Sequence, residues 1–492
     1  MKRFLSCLMV LALLCTAATF ASAADEIPTI KVAYMITMNP AEDRDLVQAE
    51  INRVLLEKGL NVQIEFICID FASWGTQINL LLTDGSVDLF NCSFMSKMSV
   101  LVDNGSIAEL DSLLDEYGQG IQDTLGEYLE CGKIGEHYYG APKLNAYSSA
   151  PCFVMNKNMA DAAGINKDDI TDLDSLTEAL KKVKAAYPDV TALSTGVNGG
   201  IYDPNGVDLL GTDKAYACLM LEDGSNDLTV TNFYATDTFL KYLEYGKTWV
   251  ENGFIRKDAI NGQESSFSGM HSEEAFGTFA GYASEEISDS VYSTAFAMPI
   301  QTAMLAETPW VTTDNVTGMT WCISELSKNK EASMIFLNAL FTDPDIANLC
   351  CNGIEGVHYV VTDEGNITFA TAEQNSLTTG WPSGMGTFWP NICITYPWAP
   401  STKATYDAWL ASNESCSKSP ALGFTFDSTN VADEIAACNN VVSKYYNTLM
   451  LNIGDTQALL ADFLGELEQS GVNDIIAEKQ AQLDAWAELN GK

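Results

Sequence analysis

The sequence predicts an α/β fold divided into two or three lobes. Near its start, apolar residues follow a strand–helix–strand–helix–strand order, which gives a parallel sheet flanked by helices. The chain has 492 residues, whereas single cores stop growing at roughly 250–300. Its end carries a succession of amphipathic helical stripes.

Ile30 to Met35 is a short apolar strand. Asn39-Pro40-Ala41-Glu42 opens a helix: Asn39 suits the cap, Pro40 the first helical position, and Glu42 completes a capping box. Val47, Ile51, Val54 and Leu55 then share one face, and Gly59 is the stop. Val62, Ile64, Phe66 and Cys68 alternate as a second strand. A second helix runs from Ser73 to Leu82, Asp84-Gly85 turns, and Val87 to Phe90 is the third strand. Ligands of such sheets sit beyond the carboxyl ends of the strands, at Ile36–Asn39, Asp70–Trp74 and Asn91–Met95.

Farther on, residues 101–130 read as helical, and 138–156 contain an extended segment interrupted at Pro142. A helix over 172–187 buries Leu173, Leu176, Leu180 and Val183. A Gly-, Asp- and Asn-rich loop fills 195–215. A helix follows over 235–252, a strand over 276–281, another over 317–323 and a helix over 330–341. Val431, Ile435, Cys438, Val442, Tyr445 and Leu449 form one stripe, and 456–468 and 473–489 are two more amphipathic segments. No fixed-period repeat or low-complexity linker interrupts the chain.

Asp and Glu number 66 against 26 Lys and Arg, for a net charge of −40. That balance argues against nucleic-acid binding and against docking by charge on an anionic membrane. With 47% hydrophobic residues the chain can bury an ample core. Lys2 and Arg3, the apolar run from Phe4 to Cys15, and Ala21-Ser22-Ala23 form a secretory signal peptide over residues 1–23. Leu13 and Leu14 stand where lipid attachment at Cys15 needs small residues, so simple cleavage is favoured over anchoring. No later run of about 18 apolar residues could span a bilayer. Eleven cysteines follow the signal at scattered spacings without a CxxC. Several lie in apolar runs, such as Phe66-Ile67-Cys68-Ile69, and read as small core residues. The odd number leaves at least one thiol unpaired within a monomer, and vicinal Cys350-Cys351 is the alternative redox pair.

The three histidines, His137, His271 and His358, fall in no metal-ligand spacing, and there is no GxSxG, P-loop or GxGxxG. Asp203-Pro204-Asn205-Gly206-Val207-Asp208 hints at a calcium loop but lacks the full ligand spacing, so neither metal nor cofactor is expected. Asp168-Asp169-Ile170-Thr171-Asp172 suits a helix entry. A glycosidase needs only two carboxylates, which keeps a secreted glycan-active enzyme as an alternative.

The order signal, β-α-β-α-β, Trp74, Asp84-Gly85, Asp88-Leu89-Phe90, Tyr139-Gly140-Ala141-Pro142 and Met155-Asn156-Lys157 resembles the family 1 extracellular solute-binding proteins of bacterial ABC importers. Phe341-Thr342-Asp343-Pro344-Asp345-Ile346-Ala347-Asn348-Leu349 and Gly353-Ile354-Glu355-Gly356-Val357-His358-Tyr359-Val360 resemble the lipoprotein-type branch with an extra C-terminal region. Leu422-Gly423-Phe424-Thr425-Phe426-Asp427 and Gln482-Leu483-Asp484-Ala485-Trp486 are similar to that region. The lipid-anchoring cysteine motif of that branch is missing, and Cys350-Cys351 stands where it has an asparagine–tyrosine pair.

The resemblance implies a two-lobed periplasmic-binding-protein-like fold of class II type, with the ligand cleft between the lobes and a helical C-terminal region. Crossings near Pro142, Pro299 and Gly356 would place 24–142 and 300–355 in lobe one, and 143–299 and 356–492 in lobe two. It implies no catalysis, an exported monomer, a carbohydrate ligand (an oligosaccharide above all) and a partner in the ABC permease. A peptide or other polar nutrient is the runner-up ligand, and a non-transport adhesin or sensor a further alternative. Ligand contacts are expected from the strand-end residues Thr37, Asn39, Trp74, Asn91, Ser93 and Phe94. Lys143, Asn145, Tyr147 and Ser149 follow past the first crossing, and Tyr282 resembles a cleft aromatic of the family. Sugars need aromatic faces and polar groups together. Of the six tryptophans between 310 and 409, Trp389 and Trp398 are the choices, against core packing for the rest.

Overall fold

The computed structural model describes residues 27–36, 41–93, 96–201, 206–221, 225–263, 265–271, 274–282, 288–289, 292–293, 298–306, 308–381 and 388–492. The expected signal peptide, the Asn39-Pro40 cap and residues 203–205 lie outside them.

The first unit follows the predicted order: β1 (Thr29–Ile36), α1 (Arg44–Glu57), β2 (Gln63–Asp70), α2 (Trp74–Asp84) and β3 (Leu89–Ser93). β1 pairs in parallel with β2 and β3, and its residues from Val32 onward are buried, as a strand covered on both faces requires. α1 lays Val47, Ile51, Val54 and Leu55 against the sheet. Asn52 clamps β2 by bonding both backbone groups of Ile64. Gly85, at φ 70°, caps α2 in the left-handed conformation.

β4 (Ala141–Pro142) then leads out of this sheet to β5 (Ala150–Asn156), which starts a second one. α3 (Leu173–Ala186), β6 (Thr191–Leu193), α4 (Asp237–Glu251), β7 (Ala275–Tyr282) and β8 (Ile300–Met304) follow. The second sheet has the order β8-β5-β7-β6. β5 is antiparallel to β7 and β8, and β7 is parallel to β6. The chain returns through β9 (Trp310–Val311) to β10 (Met319–Ile323), and the first sheet closes in the order β2-β1-β3-β10-β4. The strand expected from Thr317 begins later, because Thr312 and Asn315 form a capping box that turns Thr313–Thr317 into a helix.

α5 (Lys330–Thr342) and α6 (Pro344–Asn352) cover the first sheet. β11 (Ser417–Lys418) makes the last crossing, and α7 (Ala432–Met450), α8 (Thr456–Gln469) and α9 (Val472–Asn490) end the chain. Gly246 of α4 lies where a side chain would strike the Met450 carbonyl at the end of α7; its lack of a Cβ lets the C-terminal helices pack on the second unit.

Two cores result. One gathers Tyr34, Phe66, Trp74, Trp321, Trp381, Trp389, Tyr406 and Cys416; the other gathers Phe153, Leu180, Phe239, Phe279, Phe424, Cys438, Phe463 and Leu483. Two expected boundaries therefore move. β8 is hydrogen-bonded to β5, so the second crossing follows Met304 rather than Pro299. The third falls at β11 rather than near Gly356. Residues 356–416 stay with the first core: Trp381 donates to the Cys350 carbonyl at 3.0 Å, and Asn391 to that of Phe341 at 2.9 Å. The three crossings lie side by side. Ser149 and Trp310 exchange backbone bonds of 2.9 and 3.0 Å, and β9 pairs in parallel with β11.

Candidate functional site

Beside this three-stranded crossing lies a cavity of about 670 Å³. Ser149, Pro151 and Trp310 line it from the crossing strands, and Thr312, Asp314 and Asn315 from the helix that follows β9. The second unit contributes the loop around Asp213 and Lys214 together with Tyr234, and α7 contributes Ser443, Tyr446 and Asn447. Lining residues of the second core (Ala215, Tyr234 and Val442) thus meet a segment whose Val311 and Val316 belong to the first.

The lining combines three aromatic side chains with two amides, hydroxyls and charged groups. Aromatic faces suit the C–H surfaces of a sugar ring, and amides and carboxylates suit its hydroxyls. Both carboxylates also take part in contacts between the two units. Asp213 pairs with Lys97 at 3.0 Å, and Asp314 accepts from the Gly211 amide at 3.2 Å. The protein around Asp314 raises its carboxyl pKa, while the Gly211 N–H and Lys97 oppose the shift.

Of the residues expected from sequence, Ser149 lines the cavity. Asn145 lies in the first crossing; its carbonyl accepts from Asn413 at 2.7 Å, while its buried Oδ1 has no partner among the described residues. Tyr282 ends β7 half-buried, edge-on to Tyr292 at 5.4 Å, and Phe267 stacks on Tyr292 at 5.0 Å. This aromatic group stands at the edge of the second sheet from which the first crossing enters.

The other described positions are enclosed. Trp74 is fully buried at the start of α2. Asn91 is fully buried on β3 beside Trp321, and neither amide atom has a partner among the described residues. Tyr147 is buried against Tyr128 at 4.8 Å. Lys143 is buried, and its Nζ makes no hydrogen bond or ion pair among the described residues; burial pushes its amine down to about 8, against the weaker pull of Cys393 and Cys351.

Trp389 does not stand open on a loop. It is 1% exposed and sandwiched between Tyr34, at 4.6 Å and 12°, and Trp321, at 5.4 Å and 13°. Trp381 also stacks on Tyr34, at 6.3 Å and 13°. Trp398 is tied down as well, donating to Asn352 Oδ1 at 2.9 Å and packing on Phe369 at 4.8 Å. Thr37, Asn39 and Phe94 lie outside the described residues, as does the side chain of Ser93; the Ser93 backbone pairs with Met319.

Trp310, Tyr234, Tyr446 and Asp314 were not singled out by sequence. Trp310 follows Pro309 in a short segment without periodicity, and Tyr446 sits one place beyond the apolar stripe of its helix. Among the described residues one group could hold a metal ion, Glu109, Asp111 and His137 at the surface; none of the three lines the cavity.

A family model described as bacterial extracellular solute-binding protein matches residues 40–346, and a domain of unknown function, DUF3502, matches 420–488. A carbohydrate ABC transporter substrate-binding protein of Streptococcus pneumoniae is 24% identical over 93% of this chain and 91% of its own. In structure the chain is similar to the N-glycan transport solute binding protein NgtS of the same organism (TM-score 0.81, 22% identity, 94% of this chain and 100% of that one). The form of NgtS in complex with Man5GlcNAc gives a TM-score of 0.69 at 21% identity, over 94% of this chain and 99% of that one.

Proposed function

The chain belongs to the bacterial extracellular solute-binding proteins, and from that premise we propose that it captures an oligosaccharide and delivers it to an ABC permease. The observation that carries this reading is the cavity at the three crossings, where residues of both units meet and aromatic, amide and carboxylate groups converge. Hinge motion about strands that cross side by side can open and close such a space around a ligand. The relatives point the same way: one is a carbohydrate transporter's substrate-binding protein and another an N-glycan transport protein. In this reading the permease is a separate partner; among the described residues no helix is long and apolar enough to cross a membrane.

Within that reading, Ser149, Asn145 and Tyr282 contact the ligand together with Trp310, Tyr234 and Asn447. In this reading the glycan leaves chemically unchanged. A thermal-shift screen of residues 24–492 tests the reading against Man5GlcNAc, other neutral oligosaccharides and short peptides. A ligand that binds only the folded state stabilises it by about 2.7 kcal/mol at 100 times its dissociation constant. A shift with an oligosaccharide and intact recovery of that sugar is expected. A shift with peptides alone would overturn the carbohydrate ligand, and glycan cleavage would favour the enzyme.

A further inference from the structure

The C-terminal region reaches the cavity from two sides. α7 supplies part of its wall, and α9 passes beneath the loop over residues 208–217, which carries Asp213. Lys479 of α9 is fully enclosed. Its Nζ donates to the carbonyls of Leu209 at 2.9 Å and Ala217 at 2.7 Å and to Thr212 Oγ1 at 3.1 Å. All three ammonium donors are thereby used, on acceptors near both ends of the loop. The ammonium also sits 5.0 Å from the centre of the Phe426 ring. Asp208 fixes the start of the loop: its Oδ2 accepts from Ser419 at 2.6 Å and its Oδ1 from the Leu210 amide at 2.9 Å.

The loop so held is not a relaxed one. Leu210 has φ 53° and Gly211 φ 85°. A left-handed residue other than glycine is strained and persists where its surroundings over-determine it. That turn is what the first unit grips. Lys97 donates to the Gly211 carbonyl at 3.3 Å and to Asp213 Oδ1 at 3.0 Å, and the Gly211 amide donates to Asp314 at 3.2 Å.

We propose that the C-terminal region braces the contact between the two units: Lys479, through the loop 208–217, presents Gly211 and Asp213 to Lys97 and Asp314, and so sets how long a bound ligand is retained. Lys479 is a positioning residue that does not touch ligand, and retention rests on the solute-binding reading above. Without its three bonds the loop loses its floor, and the grip of the first unit loosens. The dissociation rate then rises more than the association rate falls, as is usual for changes at an interface.

The test uses residues 24–492 with Lys479→Met, the exposed Lys97→Met and the double variant. Dissociation of Man5GlcNAc is followed by stopped-flow tryptophan fluorescence, and amide hydrogen exchange over 208–217 is read without glycan. Each single variant is expected to raise the dissociation rate about tenfold, equivalent to about 1.4 kcal/mol, with the double variant no faster than the faster single. Exchange over 208–217 is expected to speed up in both. A folded Lys479→Met with wild-type dissociation and exchange would overturn the proposal, and so would multiplicative rates in the double variant. Should Lys479→Met not fold, Ser419→Ala loosens the same loop, and unchanged rates there would overturn it equally. If the wild type binds no Man5GlcNAc, the glycan reading is in question, but hydrogen exchange still decides the brace: faster exchange in the variants supports it, and unchanged exchange overturns it.

Discussion

Replacing Lys143 by methionine should stabilise this protein at neutral pH, against the intuition that removing a charge from a family's hinge region does harm. Lys143 lies just past β4, buried, with no partner for its Nζ among the described residues, and burial lowers its amine from 10.5 to about 8. That difference of about 2.5 units is worth roughly 3 kcal/mol. The folded-state value lies below the unfolded one, so the unfolded chain binds more protons between about pH 8 and 10.5. Stability is therefore fully present above the unfolded value and lost as the pH falls through about 8. Methionine keeps the apolar stem and removes the ammonium, and with it the cost of burying a charge that has no partner. Lys143→Met is thus expected to gain about 1–3 kcal/mol at pH 7, with the gain shrinking toward pH 10. Urea midpoints between about pH 6 and 10, compared at equal m-values, measure it. A loss of stability at pH 7, or a gain independent of pH, would refute the reasoning and point to an anionic partner for Lys143.

Trp389→Ala should lower stability and spare ligand affinity. Truncating a buried tryptophan costs about 3–5 kcal/mol, and the stacks on Tyr34 and Trp321 are part of that loss; at about 2–4 °C per kcal/mol the melting temperature falls by roughly 6–20 °C. Lost Man5GlcNAc binding with an unchanged melting temperature would put Trp389 back in the ligand site. Trp310→Ala should do the reverse. The crossing at Ser149 is made by backbone bonds, so the variant folds, and loss of the aromatic face weakens glycan binding about tenfold or more; calorimetric titration showing wild-type affinity would remove Trp310 from the site. The thiols should be inert in the native state. Ten of the eleven described cysteines are buried and only Cys68 is partly exposed, and burial pushes Cys68 itself up to about 11. Titration with a thiol reagent at pH 8 should find at most one fast group before denaturation, and several fast groups would contradict the burial.

The first half of the fold was legible because its signals are local. Alternation along Ile64, Phe66 and Cys68 and the face of Val47, Ile51, Val54 and Leu55 fix strand and helix without reference to anything distant. The boundaries between units were not local. Gly356 has the left-handed φ of 77° that a turn needs, yet the chain after it doubles back as a hairpin of Tyr359–Val361 on Ile367–Phe369 and stays with the first core. Which core a tryptophan serves depends on partners far away in sequence, such as Tyr34 for Trp389. The same limit hid the cavity, since Trp310, Tyr446 and Asp213 come from three distant segments that meet only when the crossings lie side by side. The C-terminal stripes were visible as helices, but nothing in the sequence sets Lys479 apart within them.

Isothermal titration of residues 24–492 with Man5GlcNAc, followed by analysis of the recovered sugar, tests the central claim most directly. Saturable binding at one glycan per chain is predicted, with the sugar recovered unaltered and the affinity weakened by Trp310→Ala but not by Trp389→Ala. Heat that arises only with peptides, a cleaved glycan, or binding indifferent to Trp310 would contradict the capture of an oligosaccharide in this cavity.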